Sequence, residues 1–357
     1  MTRAFSLLFL VLIVVALTQV QTLALVAGKP QVPCYFIFGD ALVDNGNNNA
    51  LATVSKANYK PYGIDFPQGA TGRFTNGRTI ADIIGQLLGF PKFIPPYANV
   101  TDQEINTGVN YGSASSGIRD ETGRNLGDRV SLSKQIRNHE SIISRLSLLQ
   151  GNKTFTDEYV KKCIYISIIG SDDYINNYLM PSNYSTSKTY TVDQYATVLV
   201  QQYSQQLTSL YKLGARKIAV FGLAPLGCTP TEIARFGTNG KLCVDKINDA
   251  VKLFNDRLKP LVVELNNDLP DARFTFINLT NILSPGGITL TTGPCCPVRE
   301  DGQCIQNSIP CLIRVSAFYD GFHPTEISNI VIAERSYNAL SPMDASPYDI
   351  SCLTTSG

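Results

Sequence analysis

Apolar residues along this chain fall into two kinds of spacing. Continuous runs of buried-strand length occur at Tyr35–Phe38, Cys163–Ile169, Lys217–Phe221 and Arg273–Ile277. Between them the spacing becomes helical. Ile80, Ile83, Ile84, Leu87 and Leu88 recur on one face and stop at Gly89. Comparable patterns predict helices over Ser131–Leu149, Thr191–Leu213, Cys243–Leu265 and from Glu326 to about Leu340. Strands and helices alternating in this way predict an α/β fold, a parallel sheet covered by helices on both faces. No repeat, low-complexity linker or shift in composition interrupts the pattern, so residues 28–357 are expected to form a single domain.

The segment before the first strand is of a different kind. Arg3 precedes an apolar stretch, Phe5–Leu17, too short to span a bilayer comfortably, and small residues follow at Ala24 and Ala27. This predicts a secretory signal peptide over residues 1–27, an uncleaved membrane anchor being the competing reading. No later stretch is long and apolar enough to span a membrane, so no stable anchor is expected after cleavage. Sequons at Asn99, Asn152, Asn183 and Asn278 fit an extracellular glycoprotein, in a plant one of the apoplast. The 357 residues are 44% hydrophobic with a formal charge of +1. That allows a large core and argues against a nucleic-acid partner, which normally brings a basic excess.

Nine cysteines fit an oxidising compartment. Cys295, Cys296, Cys304 and Cys311 crowd one Pro- and Gly-rich loop, and Cys228 and Cys243 bracket another, so local disulfides are expected there without a unique pairing. Zinc is the competing reading of the cluster, disfavoured because the only histidine nearby is His323. An odd count leaves one thiol over, with Cys34, Cys163 and Cys352 as candidates.

The chemistry is concentrated at strand ends. Tyr35–Phe38 stops at Gly39-Asp40, and Ala41-Leu42-Val43-Asp44-Asn45-Gly46-Asn47-Asn48 follows as a turn at the carboxyl edge of the sheet, where α/β proteins hold ligands. Later come Gly72-Arg73-Phe74-Thr75-Asn76-Gly77-Arg78, a small-residue loop Asn110–Ile118, Ile169-Gly170-Ser171-Asp172-Asp173-Tyr174, Pro225-Leu226-Gly227-Cys228 and Asp320-Gly321-Phe322-His323-Pro324-Thr325-Glu326. In this order the blocks resemble the plant branch of the GDSL esterase/lipase family, within the SGNH hydrolases. The resemblance spans nearly all of the mature chain. It implies a three-layer α/β/α sandwich with a flavodoxin-like parallel sheet. It also implies hydrolysis of small ester or lipid ligands through an acyl-enzyme, with serine, histidine and aspartate and no metal or cofactor.

Two positions depart from that pattern. The nucleophilic serine is replaced by Ala41, a methyl that cannot attack a carbonyl, and an oxyanion-binding asparagine is replaced by Asp172. The resemblance places the remaining oxyanion donors at the Ala41 amide and near Gly117. Asp320 and His323, three residues apart, match the acid–base pair; from the residues alone they read more simply as a helix cap with a packed histidine. Ser113, Ser115, Ser116, Ser171, Asp40 and Asp44 are conceivable substitute nucleophiles, more simply read as loop-forming residues. The second histidine, His139, reads as a surface or packing residue. The expectation is a hydrolase lineage with activity absent or strongly impaired, the alternative being an extracellular non-catalytic ligand-binding or accessory protein.

Overall fold

The computed structural model describes residues 29–283 and 293–355, so the expected signal peptide lies outside the described residues. Five strands form one sheet in the order β1 (Tyr35–Gly39), β2 (Ile164–Ile168), β3 (Lys217–Phe221), β4 (Arg273–Ile277) and β5 (Ala345–Ser346). All pairs are parallel except the last, where β5 runs antiparallel to β4. The outer edge of β1 is taken by residues 109–111: Ile37 N–H donates to the Val109 carbonyl (3.1 Å) and Tyr111 N–H to the Ile37 carbonyl (2.8 Å). That segment comes second in the chain but sits outside β1, which is the flavodoxin-like order.

Among the described residues, seven longer helices accompany the sheet: α1 (Ile80–Leu87), α2 (Leu132–Gln150), α3 (Lys153–Lys161), α4 (Val192–Lys212), α5 (Pro230–Phe236), α6 (Asp245–Asp268) and α7 (Glu326–Tyr337). Side chains alternate across a strand, so each strand feeds two cores. Phe36, Phe38, Tyr165, Val220 and Phe276 pack beneath α2, α4 and α6. Tyr35, Ile37, Ile166, Ile168 and Phe221 pack beneath α1 and α7. These two cores define the three layers.

The block at Gly72–Arg78 is explained by α1. Thr79 and Asp82 form a capping box at its N-terminus. Asp82 also accepts two bonds from buried Arg73, at Nε (2.7 Å) and Nη2 (2.8 Å), while the guanidinium lies 4.2 Å from the Phe66 ring centroid. These residues anchor the helix.

Disulfides join Cys228–Cys243, Cys295–Cys311 and Cys296–Cys304, local pairs as expected, and also Cys34–Cys163. Sequence reading left Cys34 and Cys163 as candidates for the odd thiol. They are paired because each immediately precedes one of two neighbouring parallel strands whose register matches Tyr35 with Ile164, bringing their Cα atoms to 4.7 Å. Cys352 is the cysteine outside the four pairs. His139 takes the packing branch of its reading: it is fully buried on the inner face of α2, edge-on to Phe36 and near Tyr111 and Tyr165. Burial pushes its pKa down to about 3.

Candidate active site

The carboxyl ends of β1 and β2 lie side by side, and the turns leaving them form the floor of a cleft of about 300 Å³. Gly39 allows this proximity, since a Cβ there would stand 2.4 Å from the Ile168 carbonyl oxygen. Buried Gln135 of α2 clamps the same point, accepting from Gly39 N–H (3.0 Å) and donating to its carbonyl (2.8 Å).

The Asn- and Asp-rich turn after β1 is largely structural. Asp44 accepts amide bonds from Gly46, Asn47 and Ala114. Asn47 donates to the Asn110 and Gly112 carbonyls, and Asn48 to those of Ser55 and Ala114. This polar lattice holds the small-residue loop against the turn. Ser113 and Ser116 are consumed by it, donating to Asn48 Oδ1 (2.6 Å) and the Gly39 carbonyl (3.0 Å).

Ala41 lines the cleft together with Ser115, Asp172 and His323. Its side chain is only a methyl. The Ala41 and Ser115 amides make no hydrogen bond among the described residues, so both remain available as donors. Ser115 has φ of +63°, a backbone state rare for a side chain larger than glycine, and its hydroxyl shares a 2.5 Å bond with that of Ser55. Gly117, the expected donor position, does not line the cleft. A Cβ there would lie 2.5 Å from Asp173 Oδ1, and Asp173 gathers the next loop by accepting from Ile118 N–H (2.8 Å), Arg119 N–H (3.0 Å) and the Thr122 hydroxyl (2.7 Å). Glycine at 117 is therefore required by packing, and of the loop residues that line the cleft, Ala114 and Ser115, it is Ser115 whose amide makes no bond among the described residues. The positive φ that would have revealed this cannot be read from a run of interchangeable small residues.

Across the cleft, the turn before α7 brings Asp320 and His323 together. Asp320 is fully buried and accepts from the Phe322 (2.9 Å) and His323 (2.8 Å) amides, while His323 Nδ1 lies 2.8 Å from its Oδ2. This contact favours the Nδ1–H tautomer and leaves Nε2 without a partner among the described residues. The Tyr62 hydroxyl donates to the same Oδ2 at 2.6 Å and accepts from Cys304 N–H, tying the pair to the disulfide-stapled loop. No sequence motif pointed to Tyr62. Burial opposes a charged His323 ring, but Asp320, then Asp172 and Asp40, outweigh it and raise the imidazole pKa.

Asp172 opens toward this histidine from the turn after β2, with Oδ1 accepting from Asn176 Nδ2 (2.5 Å). Burial raises its pKa to about 6, against the Asn176 bond and the His323 charge. Asp40, in the floor beneath it, is raised well above the ordinary carboxylate range by burial and then by Asp172. No candidate hydroxyl hydrogen-bonds to His323: Ser115 is bonded to Ser55, and Ser171 makes no such contact. The arrangement can hold a histidine base and two amide donors around a ligand carbonyl. It presents no oxygen at the position from which the first strand would deliver one.

With this geometry in view, the chain can be placed among known proteins. Residues 35–336 match the GDSL-like lipase/acylhydrolase family, and the chain belongs to it. Similar proteins include three from Arabidopsis thaliana described as GDSL esterase/lipases. One is 49% identical over 91% of this chain and 92% of its own length, another 48% over 92% and 93%, and a third 45% over 98% of both. It is thus a hydrolase by family.

Proposed function

We propose that this protein is a secreted GDSL esterase/lipase homologue that holds an ester or lipid ligand in its cleft and turns it over only residually, or not at all, by the acyl-enzyme route. The observation carrying this reading is the Ala41 methyl beside an assembled His323–Asp320 pair. His323 Nε2 would draw a proton from an attacking hydroxyl, and that hydroxyl is missing. Loss of the serine from a comparable triad lowers turnover by about a millionfold. Asp172 compounds the loss. An ionised carboxylate repels a developing oxyanion where an amide would donate to it, and one lost donor costs about a hundred- to a thousandfold. The Ala41 and Ser115 amides remain to orient an acyl carbonyl, which supports binding over turnover.

An extracellular setting is supported by the leader, by four disulfides, and by the lack of a membrane-length apolar helix among the described residues. Asn99, Asn152 and Asn183 are exposed and Asn278 half-buried, a placement compatible with glycans at the sequons. Hydrolysis of p-nitrophenyl acetate tests the reading. The secreted chain is expected to stay near background, and Ala41→Ser with Asp172→Asn to raise the rate. Hydrolysis by the unaltered chain that disappears in His323→Ala would overturn it.

A further inference from the structure

The charges lining the cleft run opposite to what an oxyanion needs. Its charged lining residues are Asp40, Asp172, Arg235, Glu300, Asp301 and His323. Arg235 is paired with buried Glu232 (2.9 Å), Asp301 with Arg299 (2.6 Å), and His323 with Asp320. The negative charge of the floor therefore faces no cation among the lining residues except His323, which is already paired with Asp320. A second observation points the same way. Asp40 is only 2% exposed, yet its Oδ2 meets no donor among the described residues. Its Oδ1 accepts from Leu42 N–H (3.0 Å), and with no donor at Oδ2 the floor offers nothing to stabilise further negative charge beside Asp172.

Building on the binding reading above, we infer that the cleft takes a cationic amphiphile: a protonated amine seated against the Asp172 carboxylate, with an apolar chain along Leu42, Phe74, Ile175 and Phe322. The Ala41 and Ser115 amides are neutral dipoles and do not cancel the Asp172 carboxylate charge in a partly desolvated site. The replacement of asparagine-type chemistry by Asp172 then acquires a purpose: it exchanges a donor for an anion, and with it the preferred sign of the ligand head group.

The groups facing Asp172 determine how binding depends on pH. They are Asn176 from its own turn, Asp40 from the turn after β1, the adjacent Asp173, and His323 from the turn before α7; Tyr203 of α4 faces Asp40. Lowering pH protonates Asp172 and charges His323, and both changes oppose a cation. Affinity for an amine therefore rises from pH 5 to 7.

Isothermal titration of the full secreted chain with octylammonium, octanol and octanoate tests this. Octylammonium is expected to bind at one site at least tenfold more tightly than octanol at pH 7, to weaken about tenfold by pH 5, and to lose at least tenfold in Asp172→Asn while octanol is unaffected. Equal binding of octanol, preferential binding of octanoate, or no binding of octylammonium would overturn the inference. Octanol binding without an ammonium preference would leave the binding reading of the previous section standing. Ester turnover by the unaltered chain would overturn that reading without bearing on ammonium selectivity. Should Asp172→Asn fail to fold, the ligand preference and pH trend of the unaltered chain decide the matter on their own.

Discussion

The two sides of the cleft have fared differently. On the side of the turn before α7, Asp320, His323 and Tyr62 form a closed hydrogen-bonded chain in which a buried carboxylate meets an imidazole and a phenol. On the side of β1 and β2 the backbone frame is equally well built, with Asp44, Asn47, Asn48 and Gln135 holding every turn, but the side chains delivered to the centre are a methyl and a carboxylate. The frame of a site and its chemistry are thus separable. A single atom decides nucleophilicity, whereas dozens of contacts decide the turn that presents it.

The largest effect expected from testing this contrast is in rate. Ala41→Ser with Asp172→Asn should raise aryl-ester hydrolysis by at least about ten-thousandfold, because the base and two amides are already placed. Adding Asp320→Asn to that variant should remove about four orders of magnitude again by disturbing the histidine tautomer. A restored variant that remains inert would show that the β1 side is damaged beyond its two side chains.

Next in size is the scaffold on the β1 side. Asp82→Ala leaves Arg73 buried and unpaired and should cost about 3–5 kcal/mol in chemical denaturation. The exposed Lys153–Asp157 pair, removed as a control, should cost under about 1 kcal/mol. Equal costs would contradict the anchoring role assigned to the Gly72–Arg78 block.

A smaller effect concerns pH. Burial raises Asp172 to about 6 and Asp173 and Glu232 to about 7. A carboxyl group with a raised folded pKa binds its proton more tightly in the folded chain, so its contribution is full below about pH 4 and is lost as pH rises through 6 and 7. Buried His139, held near 3, works in the opposite direction between pH 6.5 and 3, and the part of its effect that remains above pH 6 is smaller than that of the three carboxyl groups together. The melting temperature should fall by at least about 4 °C from pH 6 to pH 8; a rise would refute the burial assigned to these carboxylates.

The smallest effect is spectroscopic and compares the two histidines directly. His323 should titrate above 6.5 and shift down in Asp320→Asn, while His139 should stay neutral throughout pH 5–8. Carbon-detected imidazole spectra would separate them.

Much of the fold was legible because buried parallel strands are apolar throughout. The runs at Lys217–Phe221 and Arg273–Ile277 match β3 and β4 residue for residue. The two-residue β5 and the helix α3 left no comparable periodic signal. Asp320 and His323 were readable because three residues of a turn suffice to bring them together. Ser115 was not, since its role depends on a backbone angle and not on its side chain. Tyr62, far from Asp320 in the chain, carried no signal at all.

What the sequence determined by itself was local: the alternation of strand and helix, the missing hydroxyl at Ala41, and the anion at Asp172. Only the tertiary structure decided that Cys34 meets Cys163, that Gly117 packs on Asp173 while Ser115 lines the cleft, and that Asp40 is buried near Asp172 with one oxygen unbonded. The physical reason is that residue identity sets a group's intrinsic chemistry, whereas packing sets its neighbours, and burial and charge act only through neighbours.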